Sequence, residues 1–275
     1  MTRLGVNRSG SSLRTLLGAA GCALVLATTG CGRSSAASGA VARGPSGGGS
    51  AYTLMQMNLC LSGLAACYRK VEYPAVLDEA VARIRRTHPD AVTFNEACRN
   101  DVAAIARRTG YHLRFSTVIY GGKPLPCVRP RGRGLFGDAV LTKSAISSSE
   151  SREFAAEPGI ERRRWLCVTT LVGVDVCTSH LDAGNEAQCA DLAGVLTRRA
   201  TARAVIFGGD LNRRTSCAPG GFWTRTDASA HQDPGLQQVY GSAALRSPTA
   251  DVVPATHTDH DVLLAHARLT VDAPG

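Results

Sequence analysis

The clearest chemical feature of this chain is an apolar run followed by an acid and an amide. Residues Val205–Asn212 read VIFGGDLN, in which the first three residues are typical of a buried strand and two glycines end it. Asp210 and Asn212 lie two residues apart, so both side chains can point the same way from the end of the strand. A carboxylate and an amide at the rim of a sheet can orient a water and a phosphoryl oxygen around a hydrated Mg²⁺. An Asx turn would also explain these residues, so the assignment depends on the rest of the chain.

Other polar residues with catalytic chemistry also stand at the ends of predicted strands. YTLMQMN alternates as a strand and ends at Asn58, while AVTFNEAC carries Glu96 near its end. The segment CTSHLDAG places His180 just beyond a strand, and Asp259 and His260 come directly before the apolar run VLLAHARL. Carboxylates and histidines at strand ends are the side chains that hold metals and transfer protons.

The elements that must position these residues are strands mixed with helices. Helical spacing predicts helices over Tyr73–Arg86, ended by His88-Pro89-Asp90, and over Gln188–Arg199. A third helix is expected from an Asn100-Asp101 N-cap through Arg108, with Gly110 closing it. Further strands are expected at 137–146, 165–179 (a hairpin), 236–240 and 262–269, with a loop at 116–135. The elements do not follow strict βαβ alternation, which favours a mixed-sheet α/β sandwich over a Rossmann fold.

The first 31 residues have the pattern of an export signal. Arg3, Arg8 and Arg14 precede an apolar stretch, Leu16–Thr28, that is too short to span a membrane. The following LATTGC resembles a bacterial lipobox, which would place a lipid on Cys31 and tether the protein to the cell membrane.

Ordinary cleavage near Ala40, with release of the protein, is the alternative to lipidation. Either route places the protein outside the cytoplasm, at the cell surface or in the medium. Residues 32–50 are a Gly/Ser/Ala-rich linker, and residues 51–275 are predicted to form a single domain.

The charge of the chain favours phosphate-bearing partners without establishing nucleic acid. The formal net charge is +9, and it falls to +6 once the first 31 residues, with three arginines and no acid, are set aside. Only 5% of the residues are aromatic, so there is little material for a base-stacking surface.

Eight of the ten cysteines lie beyond residue 31. They show no C-x₂-C spacing, which argues against a structural zinc site, and an even number in an exported chain indicates disulfides. Cys167 and Cys177 face each other across a hairpin centred near Gly173, so we expect them to bridge. The other pairings are guesses. Cys60–Cys67 would close a short loop, and Cys98–Cys127 and Cys189–Cys217 are the pairs that remain.

Taken in order, the motifs resemble those of the endonuclease/exonuclease/phosphatase superfamily, which has the deoxyribonuclease I-like fold. They are Asn58, Glu96, S-H-L at 179–181, G-D-L-N at 209–212 and T-D-H at 258–260, and the runs GDAVLT and TDHDVLLAHARL resemble two further family strands. The resemblance covers about residues 52–271. It implies an α/β fold, a four-layer α/β/β/α sandwich of two mixed β-sheets, and metal-dependent hydrolysis of phosphoesters.

The resemblance also implies a role for each residue that matches a motif. Glu96 would be the main Mg²⁺ ligand, helped by Asn58 and Asp259, with Mn²⁺ or Ca²⁺ as possible substitutes. His180 and His260 would flank the scissile phosphate.

Two further roles follow at the GDLN motif. Asp210 would align or deprotonate the attacking water, and Asn212 would donate a hydrogen bond to a non-bridging phosphate oxygen. Departing from the family pattern, Gln237 stands where an aspartate often orients the terminal histidine. Another acid, such as Asp227 or Asp251, could take over this role; otherwise activity would be lowered or its pH optimum shifted.

Basic residues of the loop 123–133 are expected to face the substrate. Arg129, Arg131 and Arg133 are the candidates, and the run Arg162–Arg164 is a weaker one because a charge run is usually a solvated strand edge.

The sequence leaves several functions open. A nuclease-like phosphodiesterase acting as a monomer is favoured. A phospholipase or sphingomyelinase would need an exposed apolar hairpin, which the sequence does not clearly show, and a phosphomonoesterase of the same fold is a further alternative. The alternative from a different class is a catalytically silent surface lipoprotein that binds without hydrolysing.

Overall fold

The computed structural model describes residues 49–156 and 159–270. The predicted export signal, the Cys31 lipidation site and nearly all of the linker therefore lie outside the described residues. The described residues belong to one compact unit, Pro45–Gly275, which contains its own hydrophobic core. In this part of the chain, no helix has the length and apolar character needed to cross a membrane.

Strands dominate the described chain. The helices are α1 (Ala75–Thr87), α2 (Arg99–Thr109) and α3 (Glu186–Ala200), with a short 3-10 helix at Ala66–Lys70. The first strands are β1 (Ser50–Asn58), β2 (Ala91–Cys98), β3 (His112–Thr117), β4 (Ile119–Tyr120), β5 (Lys123–Pro124), β6 (Phe136–Thr142), β7 (Ile146–Glu153) and β8 (Glu161–Arg162). They are followed by β9 (Arg164–Thr170), β10 (Val174–Ser179), β11 (Ala204–Asp210), β12 (Trp223–Thr226), β13 (Gln237–Gly241), β14 (Leu245–Val253) and β15 (Val262–Leu269).

Two mixed six-stranded sheets form the body of the domain. The first has the order β14-β15-β1-β2-β6-β3 and the second β12-β13-β11-β10-β9-β7, while β5-β4-β8 form a small third sheet. Only the pairs β1–β2 and β10–β11 are parallel within the two large sheets of the described chain. In each parallel pair, the C-terminal ends of both strands therefore lie at the same edge of the sheet.

Three apolar clusters show how the layers stack. Side chains of α1 and α2 pack on one face of the first sheet, and those of α3 pack on one face of the second. The cluster between them is formed by the facing sides of both sheets, with Leu54, Val140, Val168 and Ile206 among its members. The fold is thus the expected α/β/β/α sandwich.

Most elements predicted from the sequence are confirmed, but several strands escaped prediction. The α1, α2 and α3 helices, the hairpin β9–β10 and the strand β15 lie where expected. The strands β7 and β14 were missed because their sequences, ISSSESRE and LRSPTADVV, are polar and largely solvent-facing. The N-cap of α2 is Cys98 and not Asn100-Asp101, since the chain passes directly from β2 into the helix.

All four expected disulfides are present. Cys167 and Cys177 are paired directly across β9 and β10, with their Cα atoms 4.1 Å apart. The other bridges are Cys60–Cys67, Cys98–Cys127 and Cys189–Cys217. Four bridges in one domain are compatible with an extracellular protein.

The two sheets approach each other closely at a glycine of β11. A Cβ on Gly208 would lie 2.5 Å from Thr93 Oγ1 and 2.7 Å from Leu54 Cδ2, both on the facing sheet. We expect Gly208→Ala to lower the free energy of unfolding by about 1–3 kcal/mol, because the sheets must separate to admit the methyl group. Gly220→Ala is the control, since nothing lies within 4 Å of its Cβ position. Equal urea-unfolding midpoints for the two variants would contradict this close approach.

Candidate active site

The predicted site residues meet at one edge of the sandwich, where both parallel strand pairs end. Asn58 ends β1 and Asp210 ends β11, while Glu96 lies near the end of β2. His180 follows the last residue of β10, and His260 precedes β15, which runs antiparallel to β1. The topology therefore brings together residues as far apart in the sequence as Asn58 and His260, which are 202 positions apart.

Asn58 links two of the acidic residues. Its Nδ2 donates to Glu96 Oε1 at 3.0 Å and to Asp210 Oδ2 at 2.9 Å, and its Oδ1 accepts from the backbone N–H of Cys60 at 3.0 Å. Both amide hydrogens of Asn58 are therefore committed to carboxylates, one from each sheet.

The His260 imidazole lies between two carboxylates. Its Nδ1 is 3.0 Å from Asp259 Oδ1, and its Nε2 is 3.3 Å from Asp210 Oδ2. Burial opposes protonation, but the hydrogen bond to Asp259 and the charges of Asp210, Asp259 and Glu96 together raise the pKa of His260 to about 9. These interactions favour the cationic form of His260 at neutral pH.

His180 has the opposite character. Burial, followed by the charges of Arg163 and His260, lowers its pKa well below the ordinary value of a histidine. Asn212 Nδ2 lies 2.8 Å from His180 Nε2 and 2.9 Å from the carbonyl oxygen of Leu181. The carbonyl fixes which way the Asn212 amide points, so His180 Nε2 accepts and the ring proton is assigned to Nδ1.

This arrangement corrects one predicted role. Both hydrogens of the Asn212 amide are engaged, one by the Leu181 carbonyl and one by His180, so neither is free for a phosphate oxygen. Asn212 is instead placed to orient the His180 ring.

Two site residues have left-handed backbone conformations. Glu96 has a φ of 53°, at the point where the pairing of β2 with β6 shifts register, and Asn212 has a φ of 50°. Such values are uncommon for residues other than glycine and cluster at functional sites. The Glu96 conformation turns its side chain toward the site while β2 continues to Cys98.

A buried amide beneath the site joins the two sheets. Asn95 Oδ1 accepts from the backbone N–H of Asp210 at 2.7 Å and from Gln56 Nε2 at 2.8 Å. Its Nδ2 donates to Asp138 Oδ1 at 2.9 Å. Asn95 is fully buried and fixes the end of β11 against β2. Sequence reasoning overlooked Asn95, although an amide directly before Glu96 was available as a signal.

The expectation for Gln237 was wrong. Its Oε1 accepts from the backbone N–H of Asn58 at 3.1 Å, while its Nε2 donates to Asp227 Oδ2 at 3.2 Å and to the carbonyl oxygen of Asp261 at 2.6 Å. Gln237 therefore positions β1 and the segment before β15 rather than the His260 ring.

Neither proposed substitute acid reaches His260 either. Asp227 bonds to Gln237, and Asp251 pairs with His266, with 3.3 Å between Oδ2 and Nε2. Asp259, the neighbour of His260 in the sequence, supplies the orienting carboxylate instead.

The three arginines predicted to face the substrate differ in their exposure. Arg133 is wrong as a substrate contact: only 4% of the residue is exposed, and its guanidinium bonds to Asp101 Oδ2 at 3.1 Å and to the carbonyl oxygens of Leu61 and Arg129. Through these bonds, Arg133 stabilises the conformation of the loop. Arg129 and Arg131 are exposed, and their contact with substrate stays a prediction.

A cavity of about 490 Å³ opens beside Glu96 and His180. One wall is apolar and includes Leu64, Tyr120 and Phe136. Arg163, from the run that sequence analysis ranked low, lines the same cavity and is ion-paired to Glu161 and Asp182.

The acids of the site fit a hard divalent cation. Burial, with the charges of Asp210 and Asp259, raises the pKa of Glu96 to about 7, against the lowering effects of Asn58 and Arg163. Burial is the largest cause of this rise, and the neighbouring carboxylates add to it; a bound Mg²⁺ would offset the charge of the carboxylates. The oxygen donors Glu96, Asp210 and Asp259 are the ligand type that Mg²⁺ prefers.

The Cys60–Cys67 disulfide borders this group of acids. Cys67 Sγ lies 3.7 Å from Glu96 Oε2, and both sulfurs are within 4.8 Å of a carboxylate oxygen of Asp259. Because the sulfurs are bonded to each other, they are not available as thiolate ligands. The bridge instead anchors the segment 59–67, whose Leu61 N–H donates to the Glu96 carbonyl oxygen at 2.8 Å.

Comparison with known proteins gives one family and one fold. A model of the Endonuclease/Exonuclease/phosphatase family matches residues 66–260. The human Nocturnin catalytic domain with bound sulfate has a TM-score of 0.62 at 15% identity, covering 80% of this chain and 94% of that one. An endonuclease/exonuclease/phosphatase from Beutenbergia cavernae scores 0.57 at 19% identity, covering 80% and 72%. TDP2 from C. elegans scores 0.55 at 16% identity, covering 79% and 75%. No curated protein matches this chain as a relative.

The charge of His260 predicts a pH dependence of stability. Its folded pKa, about 9, lies above the unfolded value near 6.5, so the stabilisation is complete below pH 6.5 and is lost as the pH rises through 9. In EDTA, the stability difference between wild type and His260→Gln should therefore shrink by about 3 kcal/mol between pH 6 and pH 9.5. Urea unfolding at several pH values measures it, and a constant difference would show that His260 is not a cation here.

The position of the Cys60–Cys67 bridge predicts a specific effect on metal binding. Cys60→Ala/Cys67→Ala should cost about 2–3 kcal/mol of stability and weaken Mg²⁺ binding several-fold, because the segment beside Glu96 loses its anchor. Cys189→Ala/Cys217→Ala is the matched control, expected to lose stability but keep Mg²⁺ affinity. Calorimetric titration compares the two, and an equal loss of affinity in both would contradict the local role of the first bridge.

Proposed function

The chain belongs to the Endonuclease/Exonuclease/phosphatase family, and from that membership we propose that it is an exported, divalent-metal-dependent phosphoesterase, most plausibly a nuclease-like phosphodiesterase. Members of this family are phosphoesterases. The observation that carries the proposal is the convergence of Glu96, Asp210 and Asp259 with His180 and His260 at one edge.

Glu96 would hold the cation, with Asp259 and the Asn58 side chain beside it. A bound Mg²⁺ would neutralise the charge that builds on the phosphoryl group during attack. In the metal-free arrangement, Asn58 Nδ2 lies between Glu96 and Asp210 and partly offsets their repulsion.

Asp210 is placed to direct the attacking water. Its Oδ1 accepts from the backbone N–H of Asn212 at 3.0 Å, which fixes the carboxylate plane, and its Oδ2 faces Asn58 and His260. A water bound to this carboxylate would be oriented for in-line attack on phosphorus, with Asp210 accepting its proton.

The two histidines would have different roles. His260 is held as a cation between Asp259 and Asp210, so it can stabilise negative charge on the phosphorane and supply a proton to the leaving oxygen. His180 stays neutral and would offer its Nδ1 proton to a phosphate oxygen, while Asn212 holds the ring. In the reaction, the bond between the water oxygen and phosphorus forms as the ester P–O bond breaks.

Two alternatives within the fold stay open. A phosphomonoesterase would use the same residues on a terminal phosphate. A phospholipase or sphingomyelinase is less favoured, since the exposed apolar hairpin tip, Leu171-Val172, lies at the far end of β9 and β10 from His180.

The catalytically silent lipoprotein is the alternative from another class. Its main support was Gln237, which was expected to leave the terminal histidine without an acidic partner. Because Asp259 and Asp210 hold His260, the departure at Gln237 removes nothing from the site.

Hydrolysis by the folded domain tests the proposal. The segment Pro45–Gly275 would be offered plasmid DNA, RNA, bis-p-nitrophenyl phosphate and sphingomyelin, each with Mg²⁺, Mn²⁺ or EDTA. We expect turnover that requires the metal and falls by about 10²–10³-fold in His180→Ala, because a positioned hydrogen-bond donor to the phosphate is lost. The active substrate names the substrate class.

The matched control is His231→Ala, since His231 is exposed and pairs with Asp261 outside the catalytic group. It should keep wild-type turnover. Absence of turnover on every substrate, by a domain with all four disulfides formed, would contradict the enzymatic proposal and favour the binding lipoprotein.

A further inference from the structure

The edge of the sandwich opposite the catalytic residues carries an exposed apolar turn. Leu171 and Val172 join β9 to β10 and are 71% and 58% exposed. Gly173 follows with a φ of 79°, which closes the turn tightly and holds both aliphatic side chains at its tip. Nothing in the fold of the described chain needs these two apolar residues at a solvent-exposed turn.

This turn lies far from the catalytic residues. The strand β10 runs from the turn to Ser179, directly before His180, over six residues. At about 3.3 Å per residue, the turn and the site are separated by about 20 Å. The apolar tip therefore does not belong to the substrate cavity.

The chain enters the domain beside the same turn. Ser50, at the start of β1, lines one cavity of about 320 Å³ together with Val172, Lys143 and Leu269. Gly49 is tied there, since its carbonyl oxygen accepts from Arg268 Nη1 at 3.1 Å. A membrane anchor in the chain before Gly49 would therefore hold the domain by this edge.

The surroundings of the turn are basic. Lys143, Arg203, Arg246 and Arg268 are exposed. Lys143 lines the cavity at Val172, Arg203 precedes the residue that pairs with Val174, and Arg246 pairs with Arg268 next to Leu269.

Asp175 and Asp90 both lie at this edge, and both are already engaged. Asp175 accepts from Thr169 Oγ1 at 2.7 Å and from Arg199 Nη1 at 2.9 Å. The other acid is Asp90. Its Oδ2 accepts from the Thr53 N–H at 2.8 Å, and its carbonyl oxygen accepts from the Lys143 N–H. The edge therefore presents an apolar tip within an excess of positive charge.

We propose that this edge, defined by Leu171, Val172, Lys143, Arg203 and Arg268, is a docking surface for a lipid bilayer that contains anionic headgroups. The two aliphatic side chains enter the interface, and the cations contact the headgroup phosphates. The catalytic edge then faces away from the bilayer.

The predicted lipidation site at Cys31 is the reason to propose a bilayer as the occupant. Cys31 precedes Gly49 by 18 residues, which span at most about 60 Å. A lipid on Cys31 would hold the domain within that distance of the bilayer and would attach it through this edge. Anionic bilayers bind protein surfaces that combine exposed apolar side chains with positive charge, and this edge has both.

Vesicle co-sedimentation of the domain Pro45–Gly275, which lacks Cys31, tests the surface without the lipid. The vesicles are phosphatidylcholine alone or with one third phosphatidylglycerol. We expect binding to the anionic vesicles at low salt and at least fivefold weaker binding to the neutral ones. Leu171→Ser/Val172→Ser should weaken binding to anionic vesicles about tenfold, and Lys143→Glu/Arg203→Glu by a similar factor.

Matched controls are placed away from this edge. Ile160→Ser removes an apolar residue that is 62% exposed in the loop before β8, and Arg99→Glu reverses an exposed charge at the start of α2. Both should bind vesicles like the wild type. The proposal is overturned if the wild-type domain fails to bind anionic vesicles, if Leu171→Ser/Val172→Ser binds like the wild type, or if the controls lose binding equally. These outcomes are independent of hydrolysis, because Leu171 and Val172 lie outside the catalytic group.

Discussion

The whole site depends on one buried amide at the junction of the two sheets. Asn95 belongs to the first sheet, and its Oδ1 accepts the backbone N–H of Asp210, the last residue of β11 in the second. Its Nδ2 donates to Asp138 in β6 and approaches Thr178 Oγ1 in β10 at 3.4 Å. A buried polar group left without a partner costs about 1–3 kcal/mol, so this network strongly favours one relative placement of the sheets. That placement brings Asn58 and Glu96 from one sheet within reach of Asp210 from the other.

The two histidines of the site lie in opposite electrostatic environments. Around His260, the carboxylates Asp259 and Asp210 favour a cation, while His180 lies beside Arg163 in a setting that favours the neutral ring. Burial, then the charges of Arg163 and His260, favours the neutral form of His180, whereas the carboxylates around His260 outweigh its burial, so the two histidines of one site differ in protonation. Burial, with a further contribution from the charges of Asp210 and Asp259, raises the pKa of Glu96 to about 7, and a divalent cation would offset those charges.

The sequence was most informative where chemistry coincided with strand ends. Asn58, Glu96, His180, Asp210 and His260 were recognised because each follows or precedes an apolar run, and parallel strands bring such ends to a common edge. The family motifs added their order and their expected roles.

Pairwise contacts between distant residues could not be predicted in the same way. The partners of Gln237 lie at Asn58, Asp227 and Asp261, and no local pattern reports them. Arg133 looked like a surface cation because its buried partner Asp101 lies 32 positions away on a different element. Polar, solvent-facing strands such as β7 were also missed, since they lack the alternation that marks a half-buried strand.

The proposed function requires that the acids at the junction of the two sheets bind one divalent cation. Titration of Mn²⁺ into the domain Pro45–Gly275, followed by electron paramagnetic resonance of the free ion, measures this binding. We expect one bound ion per chain in the wild type, displaced by Mg²⁺, and no such binding in Glu96→Ala. Equal Mn²⁺ binding by wild type and variant, or none by the wild type, would contradict it.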